Sequence, residues 1–346
     1  MNVRRGWIQS PAYDLGLLSL SPLFGLLVCA AYVVFHIPGY VVGGAALFGF
    51  GLPHYLSTYT FFLDDTNAAY QARRKLAFYL GPVVVVAGLT LSLALHFYWF
   101  VAVVVDTWNV FHVSRQSAGI LSVYRHLGGG DNRREKNAAN LALIGVSAGL
   151  YAVFIASQPS FAFFFGFVPF PVATYLGSVL LVAGGVGLAV LLWRMRQRAQ
   201  APARAELIFL VSSLGLFLPF VLIESRSTAS SAMLTGHYVQ YLGLLWLLNH
   251  RKHAGATGSS RQQLLARASR SVTSILVLLA SIIVATSIAD RIVHHFNANA
   301  FHSWILNVIV LLHFYFDGLF WSFRQPEVRE SVAPYLLLPD HRLKAA

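Results

Sequence analysis

Charge is scarce in this chain. Only 11% of its 346 residues are Asp, Glu, Lys or Arg, where a soluble domain carries roughly a quarter. That deficit excludes an ordinary water-soluble globule. With 57% hydrophobic residues and a mean hydropathy of +0.62, the chain reads as an integral membrane protein. Cysteine is nearly absent: the single Cys29 excludes an intramolecular disulfide and argues against a cysteine-based metal site. Acidic residues are few, 13 against 25 basic ones, for a net charge of +12. Such an excess would indicate nucleic acid if it covered one exposed surface. Here the basic residues form short clusters between apolar runs, the pattern of cytoplasmic loops, and no nucleic-acid partner is expected. Nucleotide and protease motifs are missing as well. There is no Walker A loop, no G-x-G-x-x-G and no H-E-x-x-H. HLGGG at His126–Gly130 lacks the strand and lysine of a phosphate-binding loop. His294–His295 does not supply the histidine set of membrane di-iron desaturases.

What the chain has in plenty is long apolar runs. Ten can be read, at about 14–36, 41–63, 76–95, 98–124, 138–157, 173–193, 206–224, 231–250, 271–290 and 302–323. The third and fourth are separated only by His96 and its aromatic neighbours. If the N-terminus is cytoplasmic, 22 of the 25 basic residues fall on the cytoplasmic side, Arg226 and Arg291 lie opposite, and Arg115 stays within a span. That asymmetry predicts an even number of helices with both termini in the cytoplasm. The expected fold is all-α: a single polytopic helix bundle of about ten spans over residues 1–346, in the cytoplasmic (inner) membrane, with a cytoplasmic tail at 324–346. Met1–Arg5 is basic, but the apolar stretch after it is long and has no clear small-residue cleavage site, so no cleavable signal is expected. The aromatic, proline-punctuated stretch Ser157–Pro171 reads as a re-entrant or interfacial piece on the outer side. GGVG at Gly184–Gly187 lies inside an apolar run and reads as close helix packing.

Of 13 histidines, four lie well inside the runs: His54, His112, His237 and His313. In this topology their helices all run from outside to inside. His54 stands 10 residues before Asp64, His112 13 before Arg125, His237 13 before His250 and His313 11 before Arg324. At the rise of a helix these counts are depths of roughly 15–20 Å, near the middle of a hydrocarbon core about 30 Å thick. An ionisable side chain there is expensive and marks a function or a partner. Taken alone, any one of them could equally hydrogen-bond across a helix interface. Four imidazoles in one layer predict a shared metal ion, for which neutral imidazole is a good ligand. One turn further along each helix stands a polar group: Thr58, Gln116, Tyr241 and Asp317. Positions i and i+4 share a helix face, so Asp317, Gln116 and Tyr241 are the candidates to assist at the metal. Asp317 either orients a histidine or binds the ion itself. Arg115 either neutralises Asp317 or snorkels to the cytoplasmic side.

GLPH at Gly51–His54, the separate intramembrane histidines and the H-x-x-x-D pair His313–Asp317 resemble the bacteriorhodopsin-related-protein family of membrane β-carotene dioxygenases. Tyr55 follows the first histidine where that family carries a small residue, and the first aspartate after it is Asp64. The resemblance implies a polytopic fold in which histidines hold a non-haem iron that cleaves a polyene with O2.

Together these readings predict a membrane-embedded metal-dependent oxygenase, using Fe(II) with copper or zinc as other candidates, on a lipid-soluble substrate such as a carotenoid or another lipid. Tyr59, Phe61, Trp108, Phe111, Tyr238, Trp246, Phe314, Phe316 and Trp321 are candidates to line its pocket or simply to pack the helices. The alternative is a transporter, which the Gly/Pro interruption at Gly49–Pro53 favours, or a haem-binding electron carrier.

Overall fold

The computed structural model describes residues 6–130, 132–158, 170–254, 259–295 and 299–337. Among them every regular element is helical. An isolated segment in lipid can satisfy all its backbone hydrogen bonds internally only as a helix. Most of the expected outer piece Ser157–Pro171 lies outside the described residues.

Each of the ten apolar runs coincides with helical structure. The principal helices are α1 (Pro22–Val33), α2 (Leu52–Ser57), α3 (Gly81–Ala94), α4 (Tyr98–Leu127), α5 (Arg133–Ala156), α6 (Phe170–Arg196), α7 (Arg204–Gly215), α8 (Arg226–His253), α9 (Val272–His295) and α10 (Asn299–Phe320). The tail adds α11 (Pro326–Leu337). Four stretches are long and apolar enough to cross a membrane: Leu76–Ala94, Arg133–Ala156, Val172–Arg196 and Arg204–Leu222. The pair Pro11–Ser19 and Pro22–Val33, bent by 44°, makes a fifth if counted as one span. Helices α4 and α8 are long, at 30 and 28 residues, but they carry the polar residues that the purely apolar helices lack. The second run is broken into Gly39–Ala46, a π-turn at Leu47–Gly51, α2 and Thr60–Leu63. Pro53 stands in the first turn of α2, where its missing N–H costs nothing but ends the preceding ladder. Exposed left-handed turns at His36 (φ 53°) and His96 (φ 62°) separate the first run from the second and the third from the fourth.

Contacts divide the chain into two compact units, one of Met1–Ala46 and Asp106–Gln240, the other of Leu47–Val105 and Tyr241–Ala346. In the first, a core of Cys29, Val110, Val113, Tyr151, Phe154, Phe217, Phe220 and Met233 is buried. Helices α5 and α6 pack backbone to backbone. A Cβ on Gly145 would fall 2.7 Å from the Gly184 Cα, one on Gly149 2.7 Å from the Leu181 N, and one on Gly187 2.7 Å from the Ala142 N. The expectation for GGVG is met by this close approach, the usual use of small residues between helices in lipid.

Where α4 ends and α5 and α7 begin, four charges are buried together. Arg125 lies 2.8 Å from Glu135 and 3.7 Å from Glu206, and Arg198 reaches Glu135 at 2.5 Å and Glu206 at 2.7 Å. Both glutamates sit in the first turn of a helix, where the dipole favours negative charge. Burial works against the Arg198 charge, but its bonds to Glu206 and Glu135 outweigh that and push its pKa up. Asp106 of α4 pairs with Arg226 of α8 at 2.5 Å.

In the second unit the core is aromatic. Phe61 stacks on Phe320 with centroids 4.8 Å apart, and Phe62 meets Phe316 edge-on at 4.8 Å. Tyr315 bends over Gly81 to donate to the Ala77 carbonyl at 2.7 Å. Lys252 is buried and paired with Asp64 at 2.5 Å; burial lowers its pKa and the carboxylate opposes that shift. Large apolar side chains stay outside: Val83 and Val84 on α3, and Tyr175, Val179 and Val182 on α6, are each at least 60% exposed. Exposed apolar side chains on each of these helices suit contact with lipid.

The glycine seam predicts an asymmetry between neighbours. A Cβ on Gly184 would lie 2.5 Å from the Val146 N, whereas nothing stands within 4 Å of one on Gly185. Gly184→Ala should lower stability by about 1–3 kcal/mol through overpacking and Gly185→Ala should not, as read by thermal unfolding in detergent. Equal effects would contradict the packing.

Candidate metal centre

The four histidines singled out in the sequence sit on four different helices, none of them among the stretches long and apolar enough to cross a membrane. His54 is on α2, His112 on α4, His237 on α8 and His313 on α10. His54, His237 and His313 are almost wholly buried, and His112 is half-buried. Helix α8 is suited to carry polar groups, because every residue from Thr235 to Leu245 is buried. A helix enclosed all round meets protein rather than lipid.

In the second unit, α2, α10 and Tyr241 of α8 build one polar network. The His54 ring lies 4.4 Å from the His313 ring and 4.4 Å from the Tyr241 ring. Thr58, one turn after His54, has its hydroxyl 2.8 Å from His313 Nδ1, 2.8 Å from Tyr241 Oη and 2.9 Å from Asp317 Oδ1. Tyr241 donates to the same Asp317 oxygen at 2.9 Å and accepts from Trp321 Nε1 at 3.3 Å. His313 Nε2 stands 3.7 Å from Asp317 Oδ2. In the first unit, His112 and His237 meet edge to face with centroids 5.1 Å apart.

The structure therefore brings His54, Tyr241, His313 and Asp317 together in one unit, and His112 with His237 in the other. Gln116 follows His112 by one turn and is half-buried; it takes no part in the hydrogen bonds just described. Arg115 is exposed, as a snorkelling side chain would be. Among the aromatic residues considered for a pocket, Phe61, Phe314 and Phe316 are buried in packing, and Trp108 and Phe111 are exposed. The part of Thr58 was the least visible in the sequence. Its one signal is its place four residues after His54; its contacts to α8 and α10 come from the fold.

His54, His112, His237, His313 and Asp317 all belong to side-chain groupings whose composition could hold a metal ion. Imidazole nitrogens with one carboxylate suit iron, copper, zinc or nickel better than calcium or magnesium. Metal-ligating histidines have their second ring nitrogen fixed by a hydrogen bond; at His313 that nitrogen is tied to the Thr58 hydroxyl. No family model matches the chain, and neither the search of curated proteins nor that of solved structures finds a match.

Asp317 is the common acceptor for two buried hydroxyls. Asp317→Ala leaves those of Thr58 and Tyr241 short of an acceptor, at about 1–3 kcal/mol for each group stranded. Asp317→Asn keeps a carbonyl oxygen there and should cost less. Thermal unfolding of the two variants in detergent checks this order. A variant with Ala as stable as the original would contradict the network.

Proposed function

We propose that the protein is a multi-pass inner-membrane oxygenase that holds non-haem metal, most suitably iron, on the histidines His54, His112, His237 and His313, and acts on a lipid-soluble substrate with O2. The observation that carries this reading is the pairing of histidines that the sequence counts to one depth, His54 with His313 and His112 with His237. The donor set fits the metal. Neutral nitrogens suit a redox-active ion, and coordination would offset the cost of keeping polar rings in a dry site.

When bound, iron would supply the activation of O2. The chain's own residues do the rest. Thr58, Tyr241 and Asp317 hold the His313 ring in place and keep their protons in a closed set of hydrogen bonds. The apolar helices keep bulk water away and let a hydrophobic substrate arrive from the bilayer. The few carboxylates in this layer argue for redox chemistry over hydrolysis, which needs a base and a route for water. The resemblance of GLPH and His313–Asp317 to the membrane carotene dioxygenases points the same way. The broken second run favours one other reading, a transporter, because transporters place their sites at interrupted helices.

Metal analysis with visible spectroscopy of detergent-purified protein separates these readings. The expected result is near-stoichiometric iron without a Soret band, with most of that iron lost in each of His54→Ala, His112→Ala, His237→Ala and His313→Ala. A Soret band would assign the histidines to haem. Protein that takes up no metal, and transports a solute equally well after all four substitutions, would assign it to transport.

A further inference from the structure

We infer that Thr58 is a positioning residue that fixes His313 in the tautomer with its proton on Nδ1, so that Nε2 carries the lone pair. The directing role that follows, presenting Nε2 to a metal, rests on the function proposed above.

Thr58 Oγ1 makes three close contacts: 2.8 Å to Tyr241 Oη, 2.8 Å to His313 Nδ1 and 2.9 Å to Asp317 Oδ1. A fourth contact, Tyr241 Oη to Asp317 Oδ1 at 2.9 Å, closes a triangle. Each hydroxyl brings one proton, and an ionised carboxylate brings none. Two hydroxyl protons cannot fill four contacts. If Nδ1 is an acceptor, two of the four set lone pair against lone pair at hydrogen-bond distance, in a site where Thr58 and His313 have no exposed surface. A proton on Nδ1 supplies a third hydrogen. It donates to Thr58, whose own proton goes to Asp317, and the ring nitrogen left with a lone pair is Nε2. The count favours the same tautomer if the carboxyl is protonated, because a proton on Nδ1 again fills one contact more. The Trp321 N–H donates to Tyr241 at 3.3 Å, so the tyrosine oxygen is held from a further side. Which ring nitrogen of a histidine ligates is decided by the bond that the other one makes. Here that other bond goes to Thr58, and Asp317 acts on the ring through it.

The test is 15N NMR of histidine-labelled, metal-free protein in detergent micelles, with the His313 signal identified by its loss in His313→Gln. The expected result is an Nδ1–H tautomer in the original protein. Thr58→Val keeps the shape and removes the hydroxyl; it should give a mixture of tautomers and weaken iron binding about 10- to 100-fold. Thr58→Ser should restore both. An Nε2–H tautomer in the original protein, or a tautomer unmoved in Thr58→Val, would overturn the inference whatever the metal content. An Nδ1–H tautomer in protein that takes up no metal would support it and overturn the metal reading instead. The signal of the original protein decides the matter even if Thr58→Val does not fold.

Discussion

A polar side chain placed where water cannot reach must find its partners inside the protein, and the interior of this chain is arranged around that requirement. Thr58 is the clearest case. Its hydroxyl joins a histidine, a tyrosine and an aspartate from two other helices within 2.9 Å. Without the set, each member would be a buried group missing its bond, at a cost of a few kcal/mol. With it, the His313 ring is held in place 4.4 Å from the His54 ring. A site made from side chains on different helices needs that rigidity to keep its geometry.

The surroundings divide the remaining work. Backbone contact along the α5–α6 seam gives a pair of apolar helices a fixed register without polar residues. Aromatic stacking of Phe61, Phe62, Phe316 and Phe320 fills the space beside Tyr241 and Trp321. Two groups of paired charges lie at helix ends, the Arg125–Glu135–Arg198–Glu206 cluster and the Asp64–Lys252 pair. Removing one partner from such a cluster is far more damaging than never having built it. The polar network and the charged clusters thus occupy different places, and only the network contains histidines from the middle of the apolar runs.

How much of this could be read beforehand depends on what each feature is made of. Helix positions follow from hydropathy alone, so all ten apolar runs coincide with helical structure, and even the weak divide at His96 is a real left-handed turn. Candidate site residues follow from spacing: counts to the polar end of each apolar run select four histidines, and the helical period selects Tyr241 and Asp317 beside them. Gln116 was selected by the same period and takes no part in the hydrogen bonds around His313. Contacts between helices were not legible. The partners of Thr58, the pairing of Arg198 with Glu135 across 63 positions and the exposure of Trp108 and Phe111 depend on how helices rotate and pack, and hydropathy fixes neither. The break of the second run was announced by Gly49, Gly51 and Pro53, but the π-turn at Leu47–Gly51 was not. Such turns cluster at functional sites, and this one leads directly into the helix that carries His54.

The account's central claim is that imidazoles, and not thiolates, carboxylates or a porphyrin, grip a metal within the membrane. X-ray absorption at the edge of the metal that co-purifies with the protein tests it most directly. The account requires a first shell dominated by nitrogen, with the outer-shell scattering of several histidine rings, reduced when any one of His54, His112, His237 or His313 is replaced. A shell of oxygen alone, or one unchanged in all four variants, would contradict it.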